Sequence, residues 1–237
     1  MADYNMAPAS TALPARADAQ RVSAFLRNVY GWMCAGLGVT AFVAFMVVGS
    51  PTMIRAIASN QLLFFGLIVA ELGLVFFLSA RASSLAPGAA AGLFVLYSAL
   101  NGVTLSLVLL MYTGASVVTT FVVTAGMFGA LALFGSTTTR SLAGAGHFFF
   151  MGLVGLVLAS VVGMFWHSEA LQFLISVVGV IVFTGLTAWD AQRLKQMALV
   201  LPEGQSGSYA VVGALSLYLN FINLFLMLLR FSGGRRS

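Results

Sequence analysis

Two apolar runs near the end of the chain carry most of the side chains that could do chemistry. The first ends in Thr187-Ala188-Trp189-Asp190-Ala191-Gln192-Arg193-Leu194-Lys195, and the second contains Leu217-Tyr218-Leu219-Asn220-Phe221-Ile222-Asn223-Leu224-Phe225. Asp190 closes the first run, with Arg193 three residues on, so a pair within one helix turn is one reading of it. On the second run, Tyr209, Gly213, Ser216, Asn220, Asn223, Met227 and Arg230 fall within one helical arc of about 100°. Two asparagines and a serine in one stripe do not face lipid. They face protein or a water-filled path, either as hydrogen-bond glue between helices or as the lining of a route for ions. Asp190, Asn220, Asn223 and Arg230 are therefore expected to gather at one place. Glu71 is the one acid deep within another apolar run. An ionised carboxyl there costs several kcal/mol, so Glu71 either holds its proton or faces a polar interior. It serves as a proton or cation site, or as a protonated acid bonded to a neighbouring helix. Arg81, ten residues on at the end of the same run, can snorkel to headgroups or reach inward to an acid.

These groups must be positioned by membrane helices. The 237 residues are 60% hydrophobic and only 7% charged, with mean hydropathy +1.02. Soluble domains carry roughly 25% charged residues, so too little polar surface exists to cover a globule in water. Seven stretches are long enough to cross the bilayer: Val29–Gly49, Leu62–Ala80, Ala89–Met111, Ser116–Phe134, Phe148–Trp166, Ala170–Trp189 and Tyr209–Phe231. Gly/Pro and small polar residues separate them, and no run alternates like a barrel strand. The fold class is all-α. Gly36/Gly38, Gly126/Gly129 and Gly152/Gly155 mark places where helix backbones can approach closely. The domains read as a flexible tail over 1–27, a membrane domain over 28–231 and a short basic tail over 232–237. No cleavable signal peptide is seen in the tail, so the first span acts as an uncleaved membrane signal.

With the N-terminus inside, the inner side holds Arg16, Arg21, Arg27, Arg81, Arg140, Arg193 and Lys195, and the outer side Arg55, Arg230, Arg235 and Arg236. Seven against four favours that orientation. The net charge of +5 fits anionic headgroups, and no basic face suits nucleic acid. The single Cys34 excludes an internal disulfide. His147 and His167 share no ligand spacing with Cys, Asp or Glu, so no metal cluster is expected. The only lysine, Lys195, lies outside the spans and excludes a retinal Schiff base. No serine-protease constellation, phosphate loop or cofactor motif appears, and no enzyme is named.

Both runs resemble the transmembrane Bax inhibitor motif family, whose sixth span ends Thr-x-Tyr-Asp-x-Gln and whose seventh reads Leu-Tyr-Leu-Asp-Phe-Ile-Asn-Leu-Phe-x-x-Leu-Leu-Arg. The resemblance extends over about residues 21 to 231. It implies six helices wrapped around a central seventh and a pH-sensitive calcium leak. It also implies an aspartate pair sharing a proton, of which Asp190 is the first member and a weak candidate calcium ligand. Arg81 resembles an arginine that latches onto the pair, Arg230 matches the arginine ending the last motif, and Glu71 resembles an acid of the second span. The second aspartate is Asn220 here, and an amide cannot ionise. Trp189 replaces the tyrosine beside Asp190.

The reading is a cation (calcium) leak in a bacterial inner membrane with altered pH gating. Its partners are the bilayer and calcium or other cations. The alternatives are a proton-coupled exchanger, or a non-conducting factor that binds other membrane proteins.

Overall fold

The computed structural model describes residues 12–166, 168–202 and 205–234. His167, Arg235, Arg236 and the first eleven residues of the N-terminal tail lie outside them. The helices are α1 Ala12–Val48, α2 Pro51–Ser59, α3 Gln61–Ala80, α4 Pro87–Leu109, α5 Gly114–Thr137, α6 Ala143–Phe165, α7 Glu169–Val200 and α8 Ser206–Ser232. All but α2 are long and apolar enough to cross a membrane. The protein is an all-α membrane protein of seven long helices.

The polar punctuation between spans supplies the helix starts. Thr113 and Ser168 accept from the backbone N–H groups of Ser116 and Leu171 at 3.3 Å, and Asn60 from that of Leu63 at 3.1 Å. Pro51 and Pro87 occupy first turns, where no N–H is needed.

Three boundaries differ from the hydropathy reading. α1 reaches back to Ala12, so residues 12–27 are helical. Ala15, Arg16, Ala17, Ala19, Gln20 and Arg21 are strong helix formers, and Pro14 falls in the first turn. The loop after α1 contains the nine-residue α2, capped by Ser50. The sixth span does not end at Trp189: α7 continues to Val200. Its last turns are charged, but no glycine or proline occurs before Pro202, so only the hydropathy stops. Thirty-two residues span about 48 Å, more than the roughly 30 Å of hydrocarbon.

The most apolar window of α8 is 67% buried, against 6% for that of α3. α8 is the central helix, touching α1, α3, α4, α5 and α7, while α3 leans on α4 and α6 on α7. Tyr218, Leu215, Leu217, Leu224 and Leu229 are fully enclosed. Outward, Phe45, Leu62, Phe76, Phe148 and Phe165 are exposed, as lipid-facing side chains should be.

Close approaches at small residues set the helix spacing. A Cβ on Gly36 would meet Phe94 and Ser98 of α4, and one on Gly102 would meet Thr40 O and Val43 of α1. At Gly152 it would touch Val182, whereas Gly38, Gly126, Gly129 and Gly155 face open space. The tightest crossing is Gly135 of α5 against the backbone of Ala188 in α7. Neither backbone can yield there without moving a helix. Gly135→Ala should cost about 1–3 kcal/mol by overpacking, read as a lower Tm in detergent, while Gly126→Ala leaves the Tm unchanged.

Candidate functional site

Asp190 lies on α7 immediately after that crossing and is buried. Its Oδ2 accepts from Ser216 Oγ at 2.7 Å and from Asn220 Nδ2 at 2.8 Å, both on α8. Its Oδ1 lies 3.5 Å from Arg193 NH2, one turn along α7. All three partners are donors, the pattern an ionised carboxylate requires. Ser216 and Asn220 are one turn apart, so both face α7 together. The hydrogen bonds to the buried charge are worth about 1.5–3 kcal/mol each. The Arg193 side chain is 45% exposed, and such a pair contributes only about 0.2–1 kcal/mol.

Arg193 is also held from below. Its guanidinium lies 5.2 Å from the Trp189 ring centroid, a cation–π contact. The Trp189 ring covers Gly146 of α6, where any Cβ would collide with it. Tryptophan in this position supplies a platform for arginine in place of a hydroxyl.

Side chains beyond Asp190 tie α7 to its neighbours. Gln192 accepts from Leu142 N at 2.7 Å and donates to Arg140 O at 2.8 Å, and so ties down the α5–α6 loop. Lys195 Nζ donates to Ser136 O at 2.8 Å, and Arg21 on α1 donates to Leu201 O at 2.9 Å. Gln192→Ala should free residues 138–142 and cost about 1–2 kcal/mol for the orphaned backbone N–H. The expected readout is faster proteolysis of that loop with the helical content unchanged.

The expected gathering of four side chains is only half realised. Asn220 and Ser216 meet Asp190, but Asn223 Nδ2 donates to Leu219 O of its own helix at 2.8 Å. Arg230 is exposed in the last turn of α8, ten residues and about 15 Å along the helix from Asn220. Arg81 does not latch onto Asp190. It caps α3, its side chain is exposed, and Arg193 takes the place on the carboxylate. An i,i+3 neighbour on the same helix reaches Asp190 without the ordering that a long side chain from the peripheral α3 would need.

Glu71 forms a separate centre. Thr104 Oγ1 donates to its Oε1, and Asn101 Nδ2 lies 3.4 Å from its Oε2. Asn101 in turn accepts from the Tyr218 hydroxyl at 3.0 Å, which lies 2.6 Å from Thr40 Oγ1. None of these four partners was singled out as a site residue from sequence. Asn101 carried a usable signal, since an amide inside an otherwise apolar span needs a partner.

Among the described residues no three His, Cys, Asp or Glu side chains cluster as a metal site. At Asp190 one carboxylate faces three donors, Ser216, Asn220 and Arg193, whereas calcium takes 6–8 oxygens.

Residues 22–237 match the family model described as Inhibitor of apoptosis-promoting Bax1. The inner membrane protein YbhL of Escherichia coli (strain K12) is 50% identical over 215 residues, covering 90% of this chain and 92% of that protein. An uncharacterised protein of Borreliella burgdorferi is 44% identical over 215 residues, covering 90% and 93%. One from Caulobacter vibrioides is 39% identical over 251 residues, covering 100% of both. A buried carboxylate held between the last two of seven long helices thus sits in a chain that matches this family almost from end to end, and the protein belongs to the Bax inhibitor-1-like family of membrane proteins.

Proposed function

We propose that the protein is a cation leak, with calcium the ion to test first, closed at one end by the Asp190–Arg193–Asn220–Ser216 cluster. The observation that carries this reading is a buried carboxylate on α7 bonded to two polar side chains of α8, the helix enclosed by the others. A negative charge in that place attracts cations and repels anions. The Arg193 side chain is 45% exposed, and its ion pair and its cation–π contact with Trp189 are each weak, so it can swing away at low cost and bare the carboxylate. Family membership supports the reading. The name of the relative YbhL supports placement in a bacterial inner membrane, with the N-terminus inside by the arginine and lysine count.

In this reading the closure differs from a proton-sharing pair. Asn220 keeps one hydrogen bond to Asp190 at every pH, because an amide has no proton to lose in the physiological range. Gating near neutral pH is therefore shallow, and opening depends on Arg193 more than on titration. Purified protein in liposomes loaded with a calcium dye tests this. A leak needs no counter-ion, an exchanger needs a proton gradient, and an interaction protein gives no flux. Arg193→Ala is expected to raise the flux severalfold by removing the plug, and a flux unchanged by that substitution would place the closure elsewhere.

A further inference from the structure

We infer that Glu71 is a proton-binding site, separate from the Asp190 cluster, whose bound proton strengthens a relay of hydrogen bonds tying the peripheral helix α3 to the central α8.

The groups linked to Glu71 hold fewer hydrogens than the contacts they make. Six contacts form one connected set: Thr104 Oγ1 to Leu100 O, Thr104 to Glu71, Glu71 to Asn101, Asn101 to Tyr218, Tyr218 to Thr40, and Thr40 to Ser98 O. Thr104, Tyr218 and Thr40 bring one hydrogen each, and the Asn101 amide directs one along the chain. With Glu71 ionised, four hydrogens must serve six contacts. Each threonine must then choose between a backbone carbonyl and the relay. A proton on Glu71 adds a fifth hydrogen, so one contact is left shared instead of two. The carboxyl can then donate to Thr104, which leaves the Thr104 hydrogen for Leu100 O at 2.9 Å. Alternatively it donates to Asn101 with the amide turned, and the order Asn101 to Tyr218 to Thr40 to Ser98 O runs through without a break.

The surroundings agree. No cation pairs with Glu71 among the described residues, where the one salt bridge is Asp190–Arg193. The groups facing it from packed helices are Tyr97 of α4 and Tyr218 of α8, both neutral phenols. Arg55 on α2 and Arg230 on α8 are exposed, and Arg81, the C-cap of the helix that carries Glu71, is exposed ten residues further on. A charge left there would be uncompensated, and that is costly inside a bilayer. The relay is also rigid at its inner end. Tyr218 is fully enclosed between Phe94 and Tyr97, and the close approach of Gly36 and Gly102 brings Thr40 to the α4 backbone.

Among the described residues, Glu71 supplies the only side-chain hydrogen bonds from α3 to another helix. The proton therefore stabilises the attachment of α3. That stability is present at low pH and is lost as pH rises through the titration of Glu71, when the carboxylate has one hydrogen fewer to share and an unpaired charge.

Infrared spectroscopy of the full chain in liposomes reads this directly, whether or not the protein conducts. At neutral pH a C=O stretch of a protonated carboxyl is expected in the parent and in Asp190→Asn. It should vanish in Glu71→Gln and shift in Tyr218→Phe, which shortens the relay by one hydroxyl. The thermal midpoint in detergent gives a second readout. Glu71→Gln supplies an N–H where the acid had an O–H and should melt with the parent, whereas Glu71→Ala should melt lower. Absence of a Glu71-dependent band, a band unmoved by Tyr218→Phe, or equal losses in the Gln and Ala variants would each overturn the proposal.

Discussion

Asn220→Asp is expected to turn a flux that varies little with pH into one that rises steeply between about pH 5 and 8. The Asn220 amide lies 2.8 Å from Asp190 Oδ2, so an aspartate there brings two carboxyls into hydrogen-bond contact. At the acid end they share a proton and hold α7 to α8. At the alkaline end both ionise, and two like charges about 3 Å apart repel by roughly 5 kcal/mol at an effective dielectric near 20. The contact is thus kept at low pH and broken as pH rises. Arg193 offsets part of the repulsion, so Arg193→Ala in the same background should steepen the response. Asp190→Asn added to Asn220→Asp leaves one carboxylate with an amide partner and should return the shallow profile. A parent with a steep response that survives Asp190→Asn would place the sensor elsewhere, and Glu71 would be the next group to test.

The second large effect is on stability. Asn220→Leu removes a donor from a buried carboxylate and leaves Ser216 and Arg193 to hold it, at a cost of about 2–3 kcal/mol. Asp190→Leu alone leaves the Asn220 amide and Ser216 hydroxyl without their acceptor, costing about 1–3 kcal/mol. The double replacement removes the polar groups together and should recover most of the loss, because an apolar pair in this place strands only Ser216. Thermal unfolding of the four proteins in one detergent forms a double-mutant cycle. Additive losses would mean that Asp190 and Asn220 do not interact as their distance requires.

The long helices were legible in the sequence because hydrocarbon leaves the chain so few choices. Runs such as Leu62–Ala80 carry no alternative to a helix, and the breaks at Thr113 and Ser168 doubled as caps. Where the solvent changes, that clarity ends. The turns from Ala191 to Val200 look like a loop by hydropathy and are helix by propensity, and the distinction places Gln192 and Lys195 against the α5–α6 end of the bundle.

The stripe on α8 read correctly as inward-facing at Ser216 and Asn220. It does not say how far down the helix a partner extends. Asp190 sits at one height on α7, so only the residues level with it are engaged, and Asn223 satisfies itself on its own backbone. Spacing pointed to Arg193, three residues from Asp190, and the resemblance pointed to Arg81. The entropy of bringing in a side chain from α3 decides for the neighbour one turn away. The Glu71 relay was hidden for a different reason. Its members come from four helices, and single threonines and tyrosines in spans usually satisfy themselves locally.

The decisive measurement is calcium influx into liposomes containing the purified parent protein, without a counter-ion gradient. A cation leak closed by Arg193 gives a protein-dependent influx down the calcium gradient, little changed between about pH 5 and 8 and increased severalfold by Arg193→Ala. An influx no greater than that of protein-free liposomes, in the parent and in Arg193→Ala alike, would contradict it.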